Sequence, residues 1–191
     1  MRWVGIDYGA KLAGTTCIAL FNNNLIEVST VQKGKDADTW LEYLIHQIQP
    51  DFICIDAPLS LPAAFYSNGQ DYFYRHCDRE LQAMSPMFLG GLTARAMRLA
   101  SIWKKNNIPV IEVYPKALIQ QVHASLLDGY KNSNEISFFM DELSRYYPVV
   151  FPQNILTWHE VDAILAWCTG WRIQQKIETR FGKADEGTIT I

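Results

Sequence analysis

Four acidic residues stand where this sequence could do chemistry. Asp7 closes the apolar run Trp3-Val4-Gly5-Ile6, Asp56 closes Phe52-Ile53-Cys54-Ile55, Glu112 follows Val110-Ile111, and Asp162 lies one turn into the longest helical pattern. Neighbouring parallel strands deliver their terminal acids to one edge of a sheet, where crevices form. A helix crossing that sheet can add an acid from its apolar face; Trp158, Asp162 and Leu165 share such a face by their spacing. Gathered carboxylates repel one another, and a divalent cation relieves the repulsion. Mg²⁺ (or Mn²⁺) suits carboxylate oxygens and keeps several waters. Two such ions roughly 3.5–4 Å apart stabilise the attacking and leaving oxygens of phosphodiester cleavage. The alternative is that each acid caps a turn or helix, or pairs with Arg or Lys, on its own. Matched positions favour one site, with Asp7, Asp56 and Asp162 as catalytic and metal-binding acids and Glu112 as a further metal ligand.

Around these acids lie groups that could hold a substrate. Gly9, in the turn after Asp7, accepts unusual backbone angles and lets a phosphate or metal-bound ligand approach the main chain. Arg75 and Arg79 are spaced to share a helix face and could clamp phosphate oxygens, with Asp78 and Glu80 orienting them. A local salt-bridge network bracing an irregular segment fits that cluster equally. Lys116 could reach a phosphate or simply be a solvated helix start. His159 could protonate a leaving group or be exposed, and Cys77 beside His76 lacks the third group that a nucleophile needs.

The elements that must position these residues read in order. Strands are expected at 2–7 and 15–20, and again at 25–31 after the turn signal Asn22-Asn23-Asn24. A helix capped by Asp38 or Thr39 runs to Pro50, and 52–56 is a buried strand. Residues 57–91 are irregular, with Pro58, Pro62, Pro86 and Gly90-Gly91, and read as an insertion carrying a short helix. Helices are expected at 92–105, 115–127, 135–146 and 154–177, with a strand at 108–113. Residues 188–191 form either an edge strand or a disordered tail. The expectation is an α/β fold over 1–191 as a single domain. Its mixed sheet is a three-stranded antiparallel meander extended by parallel strands, with helices on both faces.

Composition narrows the function classes. The 191 residues are 49% hydrophobic, 19% charged and 13% aromatic, with six Trp, which suits a globular enzyme with an aromatic-lined cleft. A net charge of −3 supplies no global field for nucleic acid, so any such partner needs a local basic patch. Cys17, Cys54, Cys77 and Cys168 lack metal-ligand spacing and fit a reducing compartment. The first residues read as a strand rather than a signal peptide, and no run approaches a membrane span. A cytoplasmic protein with no membrane partner is expected.

The segments Gly5-Ile6-Asp7-Tyr8-Gly9, Ile55-Asp56-Ala57-Pro58, Arg75-His76-Cys77-Asp78-Arg79-Glu80, Ile111-Glu112-Val113-Tyr114-Pro115 and His159-Glu160-Val161-Asp162-Ala163 carry a resemblance. Together they resemble an uncharacterised family described as predicted nucleases of the ribonuclease H-like fold, over about residues 2 to 175. The acid pattern also resembles that of Holliday-junction resolvases of the same superfold. The resemblance implies a ribonuclease H-like sheet, Asp7, Asp56 and Asp162 as metal-binding acids, and a metal-dependent nuclease activity on nucleic acid. It makes a homodimer plausible. Glu112 falls in one of the matching motifs. A second reading is a phosphotransferase or nucleotide hydrolase of the actin and sugar-kinase type. The usual duplication would need a far longer chain, and a second Gly-rich hairpin is missing. A third is a non-catalytic binding module whose acids are structural.

Overall fold

The computed structural model describes residues 1–66, 69–132 and 135–191. Ser67 and Asn68, within the expected insertion, lie outside the described residues, as do Ser133 and Asn134. A five-stranded mixed sheet forms the centre, in the order β3-β2-β1-β4-β5. Its strands are β1 (Trp3–Asp7), β2 (Cys17–Asn22), β3 (Leu25–Thr30), β4 (Phe52–Asp56) and β5 (Val110–Glu112). The first three strands pair antiparallel, and β4 and β5 join parallel. Asn23 and Asn24 take positive φ between β2 and β3, the backbone that a tight hairpin turn requires.

Strand alternation sorts side chains to two faces. Val4, Ile6, Ile18, Ile53, Ile55 and Val110 pack against Leu41 and Ile45 of α1 (Ala37–Ile48) and Leu99 and Trp103 of α4 (Gly91–Lys105). Trp3, Cys17, Ala19, Phe52 and Cys54 face α5 (Pro115–Val122), α6 (Ile136–Ser144) and α7 (Trp158–Gln175). Helices therefore cover both faces. Between β4 and α4 run a 3-10 turn (Ala63–Tyr66), α2 (His76–Leu81) and α3 (Pro86–Leu89). A second, two-stranded sheet pairs β6 (Arg180–Lys183) with β7 (Gly187–Thr190).

α7 is the helix that the site depends on. Thr157 and Glu160 form a reciprocal capping box at its start, and every residue from Val161 to Gly170 is buried. It lies directly on β1, because Gly5 and Gly170 have no side chain to hold the two apart. A Cβ on Gly5 would come within 2.2 Å of the Trp167 backbone nitrogen, and one on Gly170 within 2.2 Å of the Trp3 ring. Trp3 Nε1 donates to the Trp167 carbonyl at 2.9 Å, which fixes the helix along the strand.

Three expectations change in detail. α1 is capped by Asp36, whose Oδ1 accepts the N–H groups of Asp38 and Thr39, the two residues expected to cap it. The helix expected over 115–127 stops at Val122, and Ala124–Gly129 tightens into a 3-10 turn. The stretch expected to end as one edge strand is half of a hairpin whose first strand, Arg180–Lys183, is polar and glycine-broken. Among the described residues no helix is long and apolar enough to cross a membrane.

Candidate metal centre

Asp7 and Asp56 face each other across the parallel β1–β4 ladder. Both lie on the face that α7 covers, one residue beyond Ile6 and Ile55, which point the other way. The first turns of α7 bring Asp162 onto the same spot. One carboxylate oxygen from each of Asp7, Asp56 and Asp162 lies within 4.8 Å of the others.

Each acid has different support. His159, on the same helix, sets Nδ1 2.7 Å from Asp7 Oδ2. Tyr130 donates its hydroxyl to Asp162 Oδ1 at 2.6 Å, and Lys131 Nζ lies 2.9 Å from Oδ2. Among the described residues, no hydrogen-bond donor reaches the Asp56 carboxylate. Burial pushes all three carboxyl groups above the usual range. Mutual repulsion adds to this at Asp7 and most of all at Asp56, which as a whole residue is only partly buried. Lys131 and Tyr130 pull Asp162 back, and the Asp7 hydrogen bond pulls His159 upward. The centre is therefore short of positive charge. A hard, all-oxygen donor set with excess negative charge suits Mg²⁺ or Mn²⁺.

No protein-family model matches this chain, and no curated protein matches it. The site is read from its own geometry.

Glu112 does not join the acids, which corrects the expectation of a fourth metal ligand. It pairs in register with Ile55, not Asp56, so strand parity turns it to the other face. There it accepts two hydrogen bonds from Arg75, at 2.8 and 2.6 Å, and one from the Leu59 backbone at 2.8 Å. Arg75 is likewise no phosphate clamp. It is 1% exposed, caps α2 rather than lying on it, and is held between Glu112 and Asp78. Of the two readings of that cluster, the internal brace is the one that fits Arg75. Burial opposes the charge on Arg75, but the two carboxylates outweigh it and raise its pKa.

Arg79 is exposed, and its guanidinium pairs with Asp71. Gly9 uses its N–H on Thr16 Oγ1 and its carbonyl on Arg95, so neither is offered to a ligand. A Cβ there would meet Thr15 Oγ1 at 2.1 Å, which is the physical reason for glycine. Lys116 is exposed at the start of α5, beyond the end of β5 and so on the edge of the sheet where the acids lie. Cys77 is fully buried, and burial pushes its thiol up to about 12, so it is no nucleophile.

Sequence reading missed Tyr130 and Lys131. They follow a 3-10 turn in a polar stretch without periodicity, and only the tertiary fold brings them to Asp162.

Proposed function

We propose that this protein is a metal-dependent phosphodiesterase acting on nucleic acid, with Mg²⁺ or Mn²⁺ held by Asp7, Asp56 and Asp162. The observation that carries this reading is the convergence of three buried carboxylates from β1, β4 and α7 with too few cations to balance them. The sheet order and the antiparallel start of the sheet support a ribonuclease H-like fold, as does an acid-bearing helix packed over the first strand. Bound there, a divalent ion would lower the pKa of a water and neutralise charge on a phosphodiester.

The remaining steps belong to the chain's own groups. His159 orients Asp7 and, being half exposed, can also hand a proton to a departing oxygen. Lys131 keeps its ammonium at the rim of the site, where it can meet a phosphate oxygen once Asp162 is otherwise neutralised. Tyr130 fixes the Asp162 carboxylate through a hydroxyl that burial keeps protonated.

The test is a thermal-shift titration with Mg²⁺ and Mn²⁺ on wild type and Asp7→Asn, followed by cleavage assays on DNA and RNA. Binding to the native state alone raises Tm with ion concentration. A rise in wild type that Asp7→Asn abolishes, together with cleavage that Asp7→Asn removes, is the expected result. Cleavage that persists in Asp7→Asn and ignores chelation would overturn the reading.

A further inference from the structure

The segment between β4 and α4 buries Cys77 and Leu81 together with the polar side chains Arg75, Asp78 and Ser85, yet leaves Phe65 (44%), Tyr72 (55%), Phe73 (55%) and Phe88 (62%) exposed. Burying aromatic rings is a main source of stability, so folding alone would arrange these residues the other way round. Rings gathered at the surface mark a contact surface.

These rings are held in place. Phe65 meets Tyr72 edge-on at 5.5 Å, and Phe88 lies 5.8 Å from both Phe73 and Tyr74. The Arg79 guanidinium sits 4.6 Å over the Tyr74 ring. Beneath them the backbone is tied down. Ser85 donates to the Phe73 carbonyl, and Thr93 donates to the Pro86 carbonyl at 2.7 Å. Glu186 accepts the backbone N–H groups of Ala63 and His76, at 2.7 and 2.8 Å.

The segment begins at the Asp56 end of β4 and leads into α4, whose Arg95 donates to the Gly9 carbonyl just past Asp7. Phe88 lies three residues before α4, so the Phe73, Tyr74 and Phe88 group stands toward the end of the sheet that carries the acids. Tyr66, beside Phe65, lines a cleft with Lys104 and Val110 at the other end of β5. The end with the acids also carries two loops packed together, where Gly34 N donates to the Leu12 carbonyl at 2.9 Å. Lys11, Lys33 and Lys35 are exposed on them, Lys11 with its ammonium 3.0 Å from Asp36 Oδ2. The Phe73, Tyr74 and Phe88 group, the acidic centre and the loops that carry these lysines lie toward the same end of the strands.

We propose that the exposed rings stack unpaired bases, and that the substrate of the acidic centre is single-stranded nucleic acid whose phosphates run along the lysine ridge. This rests on the phosphodiesterase reading above. Every base offers a flat face to an aromatic ring, but a duplex keeps those faces covered. A second copy of the chain is the other apolar partner for such a surface. It is disfavoured because a two-fold contact at this end would set the lysines of the two copies near one another.

The experiment measures fluorescence anisotropy of labelled single-stranded and duplex oligonucleotides of one sequence, with chelator present so that nothing is cut. Wild type, Phe73→Ser/Phe88→Ser and the conservative Phe73→Tyr/Phe88→Tyr are compared, with Tm and size-exclusion elution for each. Wild type should prefer the single strand, the serine pair should weaken it by about tenfold without lowering Tm, and the tyrosine pair should restore it. Equal binding of duplex, unchanged binding in the serine pair, or a dimer that the serine pair splits with binding intact would each overturn the proposal. Cleavage assays separate the two readings. Metal-dependent cutting confined to duplex would sink the stacking surface and leave the acidic centre standing. Single-strand binding without cutting would do the reverse.

Discussion

Gly5 of β1 and Trp167 of α7 meet backbone to backbone: a Cβ on Gly5 would lie 2.2 Å from the Trp167 nitrogen and 2.3 Å from the Ala163 carbonyl. The neighbours are main-chain atoms of a buried helix and cannot step aside. Gly5→Ala should therefore lift α7 off the sheet at a cost of about 3 kcal/mol, near 10 °C in Tm. It should also weaken the Mn²⁺-induced thermal shift, because Asp162 rides on that helix. A variant as stable as wild type would mean that the helix and strand are not in this contact.

The acids also set a pH dependence. Burial and mutual repulsion raise Asp56 well above its unfolded value, and burial raises Asp7 and Asp162. A raised folded pKa contributes stability that is present below the unfolded value near 4 and lost as pH climbs through the folded one. Without metal, wild type should lose stability relative to Asp56→Asn as pH rises from 5 to 8. Saturating Mg²⁺ should flatten that difference. Tm across the pH series for both proteins, with and without chelator, reads it directly. A difference of the opposite sign would contradict the raised values.

Arg75 and Arg79, four residues apart, should behave oppositely. Removing Arg75 leaves Glu112 and Asp78 buried without a cationic partner, and Arg75→Met should cost about 3–5 kcal/mol in urea unfolding. Arg79 pairs with Asp71 in solvent, so Arg79→Met should cost less than about 1 kcal/mol. Similar losses for the two would show that the Arg75 cluster is not the brace.

Lys131 neutralises Asp162 when no ion is present, and it competes for the oxygens that an ion would take. Lys131→Met should therefore bind Mn²⁺ more tightly, by roughly tenfold, since one close charge pair is lost. Its cleavage rate should fall, because the ammonium no longer meets the phosphate. Tighter metal with slower cutting is the signature. Weaker metal binding would mean that Lys131 assembles the site instead of competing for it.

The sequence made the sheet legible where an apolar run ended in an acid. Phe52–Asp56 reads as a buried strand because parallel strands covered on both faces are apolar throughout, and its last residue then falls beside Asp7. Glu112 misled for the same reason. A strand of only three residues gives no alternation to read, and a register shift of one residue reverses the face. Arg75 read equally as a phosphate clamp or as part of a local brace, because the partner that decides for the brace, Glu112, arrives from a distant strand. Lys131 and Tyr130 were hidden for a related reason. Their role comes from a loop crossing to α7, and nothing within the loop announces it.

Glu186 holds the backbone at Ala63 and His76 across separations of 123 and 110 residues. Glu80 likewise accepts the Gly182 N–H at 2.8 Å. A chain emerging from the ribosome can pair β1 to β4 long before these partners exist. The aromatic segment must then wait, unbraced, until the β6–β7 hairpin has been made. Synthesis thus gives the protein an order of assembly, in which the sheet can form early and the aromatic segment is braced later.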